Sequence, residues 1–154
     1  MFFNTDEFRD EITQEFLDPN IYSKTITLQH CNKENKKFPT TKKLFYEELI
    51  DENNNFLPEI FIERNLKTHH LNVSDSPTRM IGENCNWYKE HGFFENHQEL
   101  EKHIGFTCTE NTVIICPYNI SSFNESEIKT IIEKHGYVIL EKPFSIYKFE
   151  GLLS

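Results

Sequence analysis

Val113, Ile114, Ile115 and Cys116 form an unbroken apolar run inside TVIICPYN, residues 112–119. A strand with one wet face alternates, so this run predicts a strand buried on both faces. Pro117, with no N–H to give, stops the ladder. The next stretch, SSFNESEIKTIIEKHG, predicts a helix. Asn124 is its N-cap, and Glu127 three residues on completes a capping box. Ile128, Ile131 and Ile132 form the apolar stripe, and Gly136 takes the C′ position. Tyr137–Leu140 is apolar again. Strand, helix, strand is a βαβ unit, so the sheet is expected to be mostly parallel with a right-handed crossover. The ribbons 113–116 and 137–140 are expected side by side in one layer. Ligands of such sheets sit beyond the carboxyl ends of strands, which places Cys116, Tyr118 and Asn119 at the expected functional edge.

The remaining pattern is less regular. Asn4–Leu17 predicts a helix with Asn4 as cap, Glu7 closing the box, and Phe8, Ile12 and Phe16 on one face. Asp18-Pro19-Asn20 ends it. Ile21–Gln29 predicts a strand, Thr41–Ile50 a helix with Leu44, Phe45 and Leu49 inward, and Glu59–Leu66 a strand. Thr68–Pro77 reads as a loop and Thr78–Gly82 as a short strand. Asn84–His91 predicts a helical turn carrying Trp87 and broken by Gly92. Glu95–Ile104 predicts a helix ending at Gly105. Phe144–Phe149 alternates, which predicts a terminal edge strand, antiparallel to its neighbour.

The net charge of −9 excludes a broad nucleic-acid-binding surface and leaves room for an acidic face towards a basic partner. Lys33, Lys36, Lys37, Lys42 and Lys43 make one basic patch, read as a solvated loop. Four cysteines without a CxxC pair fit buried free thiols in a reducing cytoplasm. No basic n-region precedes a long apolar stretch, and no segment has the length to span a membrane.

Two stretches carry a family resemblance: RMIGENCNWYKEHGFFENHQELEKHI, 79–104, and ICPYNISSFNESEIKTIIEKHGYVI, 115–139. With Gly82, Glu83, Trp87, Cys116, Tyr118, Asn119, Phe123 and His135 in order, they resemble the MEDS domain, the DcmR-type sensory module of archaeal and methylotroph signalling proteins. The resemblance implies a single sensory domain over 1–154. Its fold would be a three-layer αβα sandwich around a mostly parallel sheet, of a degenerate RecA-like P-loop type. It also implies a small-molecule ligand near Glu83, Trp87, Cys116, Tyr118 and Asn119, and a signalling protein partner. The histidine with which that family usually opens is absent, and Gly136 stands where a proline is usual.

The candidate chemistry narrows this further. A P-loop needs glycines before its lysine, and the first glycine is Gly82, so no Walker A motif lies upstream. The metal candidates are His30, Cys31, His69, His70, Cys85, His91, His97, His103, Cys108 and Cys116. His97–Glu101 and Glu99–His103 are i, i+4 pairs, but none has HExxH order and no Cys/His set has zinc-finger spacing. The histidines therefore read as solvated residues on a polar face, with no metal or cofactor expected. Cys116 at a strand end and His135 at a helix end are within conceivable reach of each other. Nothing supplies a third orienting group, so no enzymatic activity is expected. The reading is a non-catalytic sensory domain. The alternative is a small acidic interaction protein, of immunity or inhibitor type, that masks a basic partner.

Overall fold

Phe2 and Phe3 are both buried, and they form the short strand β1 (Phe2–Phe3). In this computed structural model the described residues are 1–22, 24–29, 42–60, 77–107, 111–142 and 144–148. The basic patch up to Thr41, most of the expected strand 59–66, and the loop 68–76 lie outside them.

Helix α1 (Asp6–Phe16) follows β1 directly. Its cap is Thr5, whose hydroxyl accepts the Phe8 N–H, and not the expected Asn4. Asn4 instead donates its backbone N–H to the Glu141 carboxylate. The expected stripe holds: Phe8, Ile12 and Phe16 pack against Met1, Leu17, Ile81 and Ile115. Strand β2 (Lys24–Gln29) comes next, then β3 (Lys42–Phe45) and a 3-10 turn over Tyr46–Leu49. The helix expected over 41–50 is thus corrected. Residues 42–45 pair in parallel with β2, from Ile26 opposite Lys42 to Gln29 opposite Phe45. Strand pairing outweighs a helical spacing that the 3-10 turn also satisfies, since Leu44 and Leu49 are both buried.

Helix α2 (Pro58–Ile60) takes in Glu59 and Ile60, the first two residues of the expected strand, whose remainder lies outside the described residues; Pro58 is suited to a first helical turn. Strand β4 (Thr78–Gly82), helix α3 (Asn86–Glu90) and helix α4 (Phe94–Thr107) follow. Helix α4 continues past Gly105. Gly92 between α3 and α4 has φ +79° and supplies the left-handed break. Gly82 instead sits in a tight space. A Cβ there would stand 3.0 Å from the Tyr46 hydroxyl and 3.1 Å from Cys85 Sγ.

Strands β5 (Thr112–Ile115) and β6 (Tyr118–Asn119), helix α5 (Glu125–Glu133), and strands β7 (Tyr137–Leu140) and β8 (Ser145–Lys148) complete the order. Helix α5 carries the expected capping box: the Asn124 side chain accepts the Glu127 N–H at 2.9 Å, and Glu127 accepts the Asn124 N–H at 2.9 Å. Asn124→Ala is expected to cost about 1 kcal/mol, read as a lowered urea midpoint at unchanged slope. An unchanged midpoint would contradict it. Gly136 does not take the left-handed C′ conformation; α5 ends in tight turns, with the Lys134 and His135 N–H groups bonded to Ile131 and Ile132.

The architecture is α/β. Among the described residues two four-stranded sheets have the orders β6-β1-β7-β8 and β3-β2-β4-β5. Among the described residues every strand pairing is parallel except β7–β8, the expected antiparallel edge hairpin. The layered packing of helices on these strands is compatible with a three-layer sandwich.

Residues 112–119 link the two sheets. Their first half pairs with β4, from Thr78 opposite Thr112 to Ile81 opposite Ile115. Their second half pairs with β1. At the handover the Met1 nitrogen donates to the Cys116 carbonyl at 2.9 Å, and Tyr118 N–H donates to the Met1 carbonyl at 2.8 Å. Pro117 contributes no N–H but its carbonyl accepts from Cys85 at 2.8 Å.

This corrects two expectations. The ribbons 113–116 and 137–140 are not adjacent, because β1 lies between β6 and β7 while β5 belongs to the other sheet. The crossover through α5 therefore skips one strand position. Nor is β5 buried on both faces: Val113 is 42% exposed, and β5 ends its sheet order.

Candidate functional site

Helix α4 turns a polar face inward. His97, Gln98 and Glu101 are all buried on it, beside Leu100. A buried carboxylate needs partners, and Glu101 finds them on other elements. Tyr118, wholly buried on β6, donates its hydroxyl to Glu101 Oε1 at 2.7 Å. His135, just after α5, places Nε2 at 3.2 Å from the same oxygen, and His97 Nε2 lies at 3.6 Å. The His135 ring is held by its other nitrogen, Nδ1, at 2.7 Å from the Ile131 carbonyl. The His97 ring is held by stacking on Tyr88, centroids 3.7 Å apart.

These contacts decide who carries charge. Burial favours the neutral acid for Glu101, but His97, His135 and the hydrogen bonds from His135 and Tyr118 outweigh it and hold the carboxyl at about 2. Burial likewise disfavours the His135 cation, but Glu101 and Cys116 overcome it and push that imidazole to about 11. His97 goes the other way: desolvation lowers it, so it stays neutral. The cluster is one buried ion pair, Glu101 with His135, hydrogen-bonded by Tyr118.

Cys116 completes the group. Its sulfur, a Glu101 oxygen and a His135 nitrogen lie within 4.8 Å of one another. Hydrogen bonding with Cys85, burial and the Glu101 charge push the thiol well up. A nucleophilic cysteine needs the opposite shift. The expected approach of Cys116 and His135 is therefore realised, but in a setting that disfavours thiolate attack. Two buried atoms of the cluster, Glu101 Oε2 and His97 Nδ1, have no hydrogen-bond partner.

The five residues proposed from sequence are distributed differently. Cys116 and Tyr118 enter the cluster. Trp87, 2% exposed, lies in the aromatic core, stacked on Tyr46 at 5.1 Å and on His91 at 4.4 Å. Asn119 serves the backbone, since its side chain accepts the Ser121 N–H and caps the 3-10 turn at 120–122. Glu83 follows β4, half-buried, with its N–H donated to the Leu28 carbonyl at 2.7 Å. An open depression of about 340 Å³ lies elsewhere, over Pro58, Glu95, Asn96, Glu99 and Leu100.

Glu101 is the member that sequence reasoning left out. The only signal was its i, i+4 spacing from His97, and the reading of His97 as solvated is corrected here: it is buried, whereas His91 is exposed as expected. His30, Cys31, His69, His70 and Cys108 lie outside the described residues. Among the described residues no helix is long and apolar enough to cross a membrane. No family model, curated protein or solved structure matches this chain.

Proposed function

We propose that the chain is a non-catalytic sensory domain of the MEDS type that binds a small ligand and signals through a protein partner. The observation that carries this reading is the buried Glu101 carboxylate, gathered with Cys116, Tyr118 and His135 and with one oxygen unpartnered. That is a holding arrangement: the base is tied up in an ion pair and the thiol is not activated.

A degenerate RecA-like descent is supported by β1, which has a parallel partner on each side and runs straight into α1. In a P-loop fold a glycine-rich, phosphate-binding loop joins such a strand and helix. Here the joining residues are Asn4 and Thr5. The chain's own Glu141 carboxylate accepts both their N–H groups, the second at 3.0 Å, and the Thr5 hydroxyl at 2.8 Å. An internal carboxylate thus takes the N–H groups a phosphate would need.

A partner surface is supported at the β7–β8 hairpin, where Tyr137, Phe144, Ile146 and Tyr147 are exposed. Docking there would be apolar and weakly salt-dependent. The alternative, an acidic protein masking a basic partner, predicts a complex that weakens steeply with salt.

Thermal-shift screening of small organic metabolites and metal ions against wild type, Glu83→Ala and Glu101→Gln tests the reading. A ligand at 100 times its dissociation constant adds about 2.7 kcal/mol, roughly 5–10 °C for a chain of this size. The expected result is a ligand that stabilises wild type but not Glu101→Gln. A screen in which nothing shifts wild type would contradict it.

A further inference from the structure

We propose that Glu101, Cys116 and His135 form a site for one divalent transition-metal ion, zinc foremost. The proposal rests on the reading of this cluster as a binding site, and it names the ligand class. The three donors come from α4, the β5–β6 link and the end of α5, so only the folded chain assembles them. Their separations are all within 4.8 Å. Metal–ligand bonds of about 2.0–2.3 Å put tetrahedral donors roughly 3.5 Å apart, so side-chain adjustments of about 1 Å close the set.

The donor chemistry selects the ion. A thiolate, an imidazole and a carboxylate suit zinc and its first-row neighbours; magnesium and calcium take oxygen donors. His135 is already oriented for ligation: Nδ1 is committed to the Ile131 carbonyl, which leaves Nε2 facing Glu101. The second observation is Glu101 Oε2. The ion pair with His135 and the bond from Tyr118 account for Oε1, but Oε2 is buried with no partner. A cation satisfies it. The ion would carry two positive charges against one carboxylate and one thiolate, leaving the interior neutral as before. Its binding would release the Cys116 thiol proton and one His135 proton. Three protein donors leave the fourth position of a tetrahedral ion to water or another ligand. His135, with its side chain 18% exposed, gives the ion its way in.

The test uses the full chain, stripped with a chelator and titrated with Co²⁺ as a spectroscopic probe, then with Zn²⁺ in competition. The expected result is one Co²⁺ per chain, a thiolate-to-cobalt charge-transfer band in the near ultraviolet, and its loss on adding Zn²⁺. Cys116→Ser should abolish the band, and His135→Gln should weaken binding by at least about 100-fold. Near-ultraviolet circular dichroism reports whether each variant folds; if one does not, the wild-type spectrum and the other variant decide. Absence of the band at excess Co²⁺, or an unchanged band in both folded variants, would overturn the proposal. An organic metabolite that stabilises wild type when neither ion binds would overturn the metal and leave the sensory reading standing. A bound ion with no response to any organic compound supports the metal as the ligand.

Discussion

Glu101→Gln is expected to lower the melting temperature by roughly 6–20 °C, from a loss of about 3–5 kcal/mol on leaving a buried partner uncompensated. Glutamine keeps the shape and can still accept from Tyr118, so the loss isolates the charge. The pH dependence should change with it. Glu101 is held at about 2 against an ordinary 4.5, so its contribution is complete above 4.5 and is lost as pH falls through 2. His135 is raised to about 11 from an ordinary 6.5, so its contribution is complete below 6.5 and is lost as pH rises through 11. Both shifts describe one ion pair and are not added. Wild-type stability should therefore be greatest between about pH 4.5 and 6.5 as far as this pair is concerned. It should decline on the alkaline side, and the variant should lose most of that decline. Thermal melts across pH check both points; a variant as stable as wild type, with the same pH profile, would contradict them.

Trp87→Ala is expected to be as damaging, by about 3–5 kcal/mol, or roughly 6–20 °C in melting temperature. Trp87 is sandwiched between Tyr46 and His91 and meets Tyr88 edge-on at 5.3 Å. Its removal would leave a void in the aromatic stack that ties α3 to the turn after β3. Were Trp87 instead a wall of an open ligand pocket, the same change would cost little stability and abolish binding. Denaturant titration with a ligand assay separates the two.

What was legible in the sequence was local. The capping box at Asn124 and Glu127 lies within four residues, and the structure forms it as expected. The terminal hairpin follows from alternation in one short stretch. Strand β1 was not legible, because two residues carry no period; yet Phe2 and Phe3 occupy the slot that separates β6 from β7. Strand β3 was misread because Leu44, Phe45 and Leu49 fit a helical spacing, while the deciding interaction is pairing with β2 across the sequence.

The cluster was hidden for a related reason. Periodicity finds the buried face of a helix by its apolar residues, and α4 buries His97, Gln98 and Glu101. Their burial depends on Tyr118 and His135, which arrive through sheet order and not through spacing. Cys116 and Tyr118 were found because they end an apolar run. Asn119 was found by the same reasoning but serves a cap, and Trp87, named through the family resemblance, serves the core.

Nitrogen-15 shifts of the His135 ring across pH test most directly whether a buried ion pair joins α4 to the end of α5. In the chelator-stripped protein both ring nitrogens should keep their protons well above 6.5, the ordinary imidazole value. A His135 ring that loses its proton near that value would contradict the pair and the site built around it.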